Sequence, residues 1–236
     1  HIALVVGGDG APLSKRTGSK SVQELRDAGY LPAAINNYLA RLGHTYESNA
    51  LMSLDQLAQH FDLARLHRSP ARYDETQLLH WQREAMHGVS ANTLWGRLGI
   101  EVHALVPAEK REGFIEAIRS VALFPNDAKE WAMILFGPEF RVTNKEAKER
   151  LGEARFSSFE NFVAAMGQIG WNAHRFAKEF PIDLAPKNSF PFVRAALTNR
   201  MKGPELWRIL DLLGEQRIRA RLSAAEPMLG TLSRKP

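Results

Sequence analysis

Leu13-Ser14-Lys15-Arg16 sets a hydroxyl, an ammonium and a guanidinium side by side in a stretch with no hydrophobic period. An ammonium on an exposed loop can neutralise a phosphate whose charge grows as its bond breaks, and a planar guanidinium can grip phosphate oxygens in pairs. Short basic strings are common and mostly just solvated, so the neighbours must carry the argument. Ile2 to Val6 reads as a strand, and Gly7-Gly8-Asp9-Gly10 as the turn that leaves it. Ser21 with Glu24 forms a capping box that opens a helix beyond the loop. This frame of strand, turn, basic loop and capped helix presents a cation where a phosphate could arrive.

A second chemical feature lies at the other end. From Lys187 onward ten Lys or Arg face four acids, a local excess of +6 in a chain whose total is +5. Such a tail can attract a polyanion by Coulomb force and counterion release, although a solvated helix face is the plainer reading of charge alone. Phe192 and Trp207 recur at helical spacing and are assigned to the core, since large aromatics dominate cores.

Beyond the loop almost everything reads helical. Pro32 suits a first turn, with Ile35, Tyr38, Leu39 and Leu42 at helical spacing and Gly43 as a left-handed stop. Ser53 with Gln56 and Asp74 with Gln77 open further helices. Later helices are read over 90–98, 108–123, 126–136, 144–150, 158–169, 172–180, 192–200, 204–213 and 215–224, with stops at Gly99, Pro125, Gly137-Pro138, Pro181 and Gly203-Pro204. The expected fold is mainly α: a helical subdomain preceded by a short strand and loop, then an all-helical array. The weakly patterned stretch from Arg65 to Arg72 is the expected connection, giving domains 1–70 and 71–236. The strand at Ile2 to Val6 has no partner readable in the sequence, and the chain, starting at His1, reads as a fragment.

Several chemistries are excluded. There is no cysteine, hence no disulfide, thiol nucleophile or cysteine metal site, and a reducing cytoplasmic location is the default expectation. The histidines include no i, i+4 pair joined to a glutamate, so no metal site is expected, and Gly7-Gly8-Asp9-Gly10 lacks the Gly-Lys-Ser/Thr ending of a phosphate loop. No apolar run approaches the roughly 20 residues of a membrane-spanning helix.

The residues His1, Asp9-Gly10, Leu13-Ser14-Lys15-Arg16, Gly18, Ser21-Val22, Arg26, Gly29 to Ala34, Asn37-Tyr38-Leu39 and Leu42-Gly43 resemble, in succession, the bacterial-type glutamyl-tRNA synthetases. In that family they form the KMSKS-type loop of class I aminoacyl-tRNA synthetases and the stem-contact helices after it. The resemblance implies an ATP-binding loop of Pro12, Leu13, Ser14, Lys15 and Arg16, with Lys15 as the catalytic cation on the triphosphate. Pro12 departs from the usual lysine at the first position. Phe192 to Thr198, Gly203-Pro204-Glu205-Leu206, Leu212 to Glu215 and Arg221-Leu222 are similar to the closing helices of the family's anticodon-binding cage, with Asn199 where glycine is usual. Arg194, Arg200, Lys202 and Arg208 are the candidates for tRNA contact. The resemblance implies ATP with Mg2+, glutamate and tRNA(Glu), with tRNA(Gln) left open, as ligands of a monomeric full-length ligase. The His-Ile-Gly-His-type motif and the glutamate pocket are not in these residues, so the chain alone is expected to bind tRNA, hold no cofactor and not aminoacylate. A free-standing tRNA-binding or protein-interaction helical module is the alternative.

Overall fold

The computed structural model describes residues 3–13, 20–154, 156–179 and 190–230. They form two compact units, residues 1–97 with 123–125, and residues 98–122 with 126–236. The fold is mainly α, with two short strands among the described residues.

In the first unit, β1 (Val5–Val6) leaves through a tight turn in which Gly7 N donates to Ala11 O at 2.8 Å and Ala11 N to the Asp9 carboxylate at 3.0 Å. Gly10 has φ 79°, a left-handed conformation that suits a residue without Cβ. The strand has partners on both sides. Leu13 N donates back to Val5 O, and β2 (Ala71–Arg72) pairs with it in parallel, through Ala71 N to Leu4 O and Tyr73 N to Val6 O, both 2.9 Å. The stretch expected to be a linker is therefore part of this unit, pinned further by His67 N to Gly43 O at 2.8 Å.

Helices α1 (Val22–Ala28) and α3 (Leu54–Gln59) begin where capping predicts, and α2 (Pro32–Arg41) begins at its proline, with no side-chain cap. Ser21 and Glu24 exchange both capping-box bonds, as do Ser53 and Gln56, each box stabilising its helix start by about 1 kcal/mol. The buried face of α2 (Ala34, Ile35, Tyr38) packs on that of α4 (Glu75–Gly88; Leu78, Trp81, Ala85). Each large apolar side chain so buried contributes about 1.5–3 kcal/mol. After α5 (Ala91–Gly96), the Arg97 guanidinium donates to the carbonyls of Gly29 and Tyr30 at 3.3 and 3.2 Å. These ties move the division of the chain from the expected residue 70 to Arg97.

The second unit holds α6 (Ile100–Leu105), α7 (Arg111–Ile118), α8 (Pro125–Phe136, all but its first residue), α9 (Lys145–Glu153), α10 (Phe156–Gln168), α11 (Ala173–Glu179), α12 (Phe190–Thr198) and α13 (Leu206–Ala225). The short α6 has only Val102 buried and little apolar period, so no helical pattern announces it. Both α9 and α13 pack on α12, and α7 and α11 also pack on α13, around Phe114, Ile115, Leu135, Leu151, Phe162, Met166, Leu197, Ile209 and Ile218. Gly214, at φ 71°, breaks α13 at the point where two helices were expected to meet.

Candidate nucleic-acid interface

Of the ATP-loop candidates, Pro12 and Leu13 are placed and Ser14, Lys15 and Arg16 lie outside the described residues. Pro12 bridges Val6, and Leu13 N donates to Val5 O at 3.2 Å. Past the loop, the Lys20 ammonium donates to the Glu75 carboxylate at 2.6 Å, where α4 begins, and this hydrogen bond raises the lysine pKa.

The four tRNA-contact candidates separate. Arg194 is turned inward: its guanidinium donates to Pro204 O at 2.7 Å, and burial lowers its pKa. It braces the α12–α13 connection. Arg221 goes further. It is 7% exposed and donates to Leu197 O at the end of α12 and to Ile134 O and Leu135 O at the end of α8, with its guanidinium 3.8 Å from the Phe140 ring centroid. Burial first, and repulsion by Arg217 second, pull its pKa down to about 10, so it stays charged at neutral pH. A buried cation here satisfies orphan carbonyls at the negative ends of two helix dipoles. Arg217 adds a bond to Leu135 O at 2.9 Å. Part of the basic tail is thus internal architecture. Spacing held the clue, since Arg221 follows Ile218 by three residues and precedes Leu222, on the apolar face of its helix.

Arg200 and Lys202 are exposed and line one groove of about 440 Å³ with Trp131 and Ile134 of α8 and Asn144 and Glu146 at the start of α9. The loop carrying them is fixed at both ends. The buried Thr198 hydroxyl donates to Arg194 O at 2.8 Å and accepts from Arg200 N at 3.2 Å. Asn199 has φ 57°, the left-handed conformation its side chain suits. Gly203, at φ 154°, lies flat against the Trp131 ring: a Cβ there would stand 2.3 Å from Cη2. Arg200 itself pairs with Glu130 at 2.8 Å. With Asp127, Glu130 and Glu146 also on its walls, the groove has mixed charge.

Arg208 stands apart from that groove, paired with Glu205 at 3.0 Å and with its guanidinium 4.4 Å from the Trp207 ring centroid. Trp207 and Phe192, expected in the core, are only partly buried. Trp207 lies 5.2 Å from the His174 ring, and Arg219 covers Trp171 at 4.5 Å in the same fashion. Half-exposed aromatic and guanidinium planes are the surfaces on which unstacked bases rest. Among the described residues no group of three His, Asp or Glu could hold a metal, and no helix is long and apolar enough to cross a membrane.

An α-helical unit built this way, in a chain that opens with a strand and a Ser-Lys-Arg sequence, defines a class. Residues 1–80 match the catalytic domain of class I tRNA synthetases (E and Q), and residues 101–226 match the anticodon binding domain. The chain belongs to this synthetase family. Its relatives within it are glutamate–tRNA ligases: it is 46% identical over 224 residues to glutamate–tRNA ligase 2 of Nitrosococcus oceani, covering 94% of this chain and 47% of that one. It is 42% identical over 233 residues to glutamate–tRNA ligase 1 of Methylococcus capsulatus, covering 94% and 48%. The chain spans about half the length of the curated relatives it matches. A crystal structure of a glutamate tRNA ligase from Elizabethkingia meningosepticum in complex with its amino acid shares the fold, with TM-score 0.78 at 20% identity over 97% of this chain and 51% of that one.

Proposed function

We propose that these residues form the tRNA-binding part of a glutamate–tRNA ligase, which activates glutamate with ATP and transfers it to tRNA(Glu). The observation that carries the reading is the match of residues 101–226 to an anticodon binding domain, on a unit whose exposed Arg200 and Lys202 share a groove. Those two side chains would engage RNA. Arg208, on its tryptophan, would do so from a separate position, and Arg194 would hold the loop in shape.

The ammonium of Lys15 and the guanidinium of Arg16 suit a triphosphate, and ATP bound with Mg2+ would supply the leaving pyrophosphate. Lys15 would hold charge on that group as it departs. Pro12 and Leu13, tied to β1, and Lys20, tied to Glu75, would keep the ends of the loop in place. As a monomer in the cytoplasm, the ligase would meet glutamate, ATP and tRNA there. The 236 residues alone contain no His-Ile-Gly-His-type motif and are proposed to bind tRNA without activating glutamate.

The chain is titrated into a labelled tRNA(Glu) transcript at rising salt, and ATP–pyrophosphate exchange is measured in parallel. Binding should weaken by an order of magnitude or more between about 50 and 200 mM salt, with exchange at background. Absence of binding at the lower salt refutes the tRNA reading, and exchange by this chain refutes the account of its catalytic incompleteness.

A further inference from the structure

The two walls of the groove come from segments far apart in the chain, and one side chain joins them. The Asn199 carboxamide oxygen accepts from Thr143 N at 2.9 Å and Asn144 N at 2.7 Å, and its amide nitrogen donates to Thr143 Oγ1 at 3.1 Å. Asn144 is the N-cap of α9, its own side chain accepting from Ala147 N, so Asn199 grips the residues that fix where α9 starts. On its other side Asn199 directly precedes Arg200. Its backbone closes α12 by donating to Ala195 O at 3.0 Å, and its left-handed φ turns the chain into the Arg200–Lys202 loop.

We infer that Asn199 is a positioning residue for RNA: by bonding the start of α9 to the end of α12 it sets the width of the groove and the pose in which Arg200 and Lys202 meet a nucleotide. This rests on the tRNA-binding reading above. Two properties of asparagine are used together. It tolerates φ 57°, and its carboxamide both accepts two backbone amides and donates to a hydroxyl. Glycine reproduces the first and abolishes the second. Asn199→Gly therefore removes the tether while leaving the turn intact.

Five proteins decide it: the parent chain, N199G, T143V, R200A/K202A and the triple variant N199G/R200A/K202A, each titrated with the labelled tRNA(Glu) transcript, with helix content and thermal unfolding recorded alongside. N199G should weaken binding roughly fivefold at unchanged helix content. In the R200A/K202A background the same substitution should change affinity by less than about twofold, because the side chains it positions are gone. Thr143→Val, which removes only the hydroxyl partner, should reproduce a smaller part of the loss and serves as the probe if N199G proves poorly folded. Parent-like binding by N199G and T143V, or an equal N199G effect in both backgrounds, overturns the inference and leaves tRNA binding standing. Undiminished binding by R200A/K202A overturns it also, by removing the groove from the interface. If the parent chain does not bind, the functional reading fails first.

Discussion

At the scale of single residues, the same side-chain type has opposite uses within thirty positions. Arg200 and Lys202 are exposed over a groove, while Arg221 is withdrawn from water to satisfy carbonyls at the ends of two helices. Charge counting cannot separate the two, because it sees only that each is basic. Helical spacing can: Arg221 falls in line with Ile218, Leu222 and Ala225, whereas Arg200 and Lys202 lie in a loop. Replacing Arg221 by Met leaves Leu197 O and Ile134 O without their donor in a buried place. It should destabilise the chain by about 3 kcal/mol, read as a fall in the denaturant midpoint, with Arg221→Lys losing less because an ammonium still reaches one carbonyl. A midpoint within error of the parent would show that the capping is not needed. Asn199 was legible in part. Its left-handed conformation followed from its standing where glycine serves, but its bonds to Thr143 and Asn144 join residues more than fifty positions apart, and no local pattern announces them.

At the scale of elements, the boundaries that were readable are those set by local chemistry. The capping boxes at Ser21 and Ser53 and the breaks at Gly43 and Gly214 all depend on a few adjacent residues. What escaped was short or long-range. A two-residue strand such as β2 has no period to detect, and its partner lies some 65 positions away. The loop between α12 and α13 shows how a local signal gains meaning from packing. Gly203 reads in sequence as a helix stop, but in space it is the place where the backbone touches the Trp131 ring, so its lack of a side chain is a steric requirement. Gly203→Ala should therefore destabilise the chain by about 1–3 kcal/mol from overpacking alone. It should also weaken tRNA binding by displacing Lys202. An alanine variant as stable as the parent, measured by the same denaturant titration, would show that the tryptophan yields easily.

At the scale of the molecule, net charge is a poor guide to the charge available to a partner. Of the basic residues from Lys187 onward, Arg194, Arg217 and Arg221 are committed to backbone carbonyls, while Arg200, Arg208 and Arg219 each share their charge with a glutamate. The salt dependence of tRNA binding should track the residues at the groove: each of R200A and K202A should lower the slope of log affinity against log salt by about 0.7–0.9, and R217A, exposed but bonded to Leu135 O and outside the groove lining, should leave it unchanged. An equal effect of R217A would mean that long-range field, and not contact, governs binding.

The allotment of residues 123–125 to the first unit has a further consequence. The fully buried Gln82 accepts from Leu31 N at 2.9 Å and donates to Leu123 O at 2.9 Å, Phe124 meets the Tyr30 ring edge-on at 4.9 Å, and a Cβ on Gly29 would collide with Pro125. A gene cut after Arg97 would carry this three-residue plug away with the wrong piece and leave a buried amide facing an empty slot. Each unit is compact in space but broken in sequence, so recombination between homologues could exchange them as cassettes only if the donor of residues 1–97 also donated 123–125.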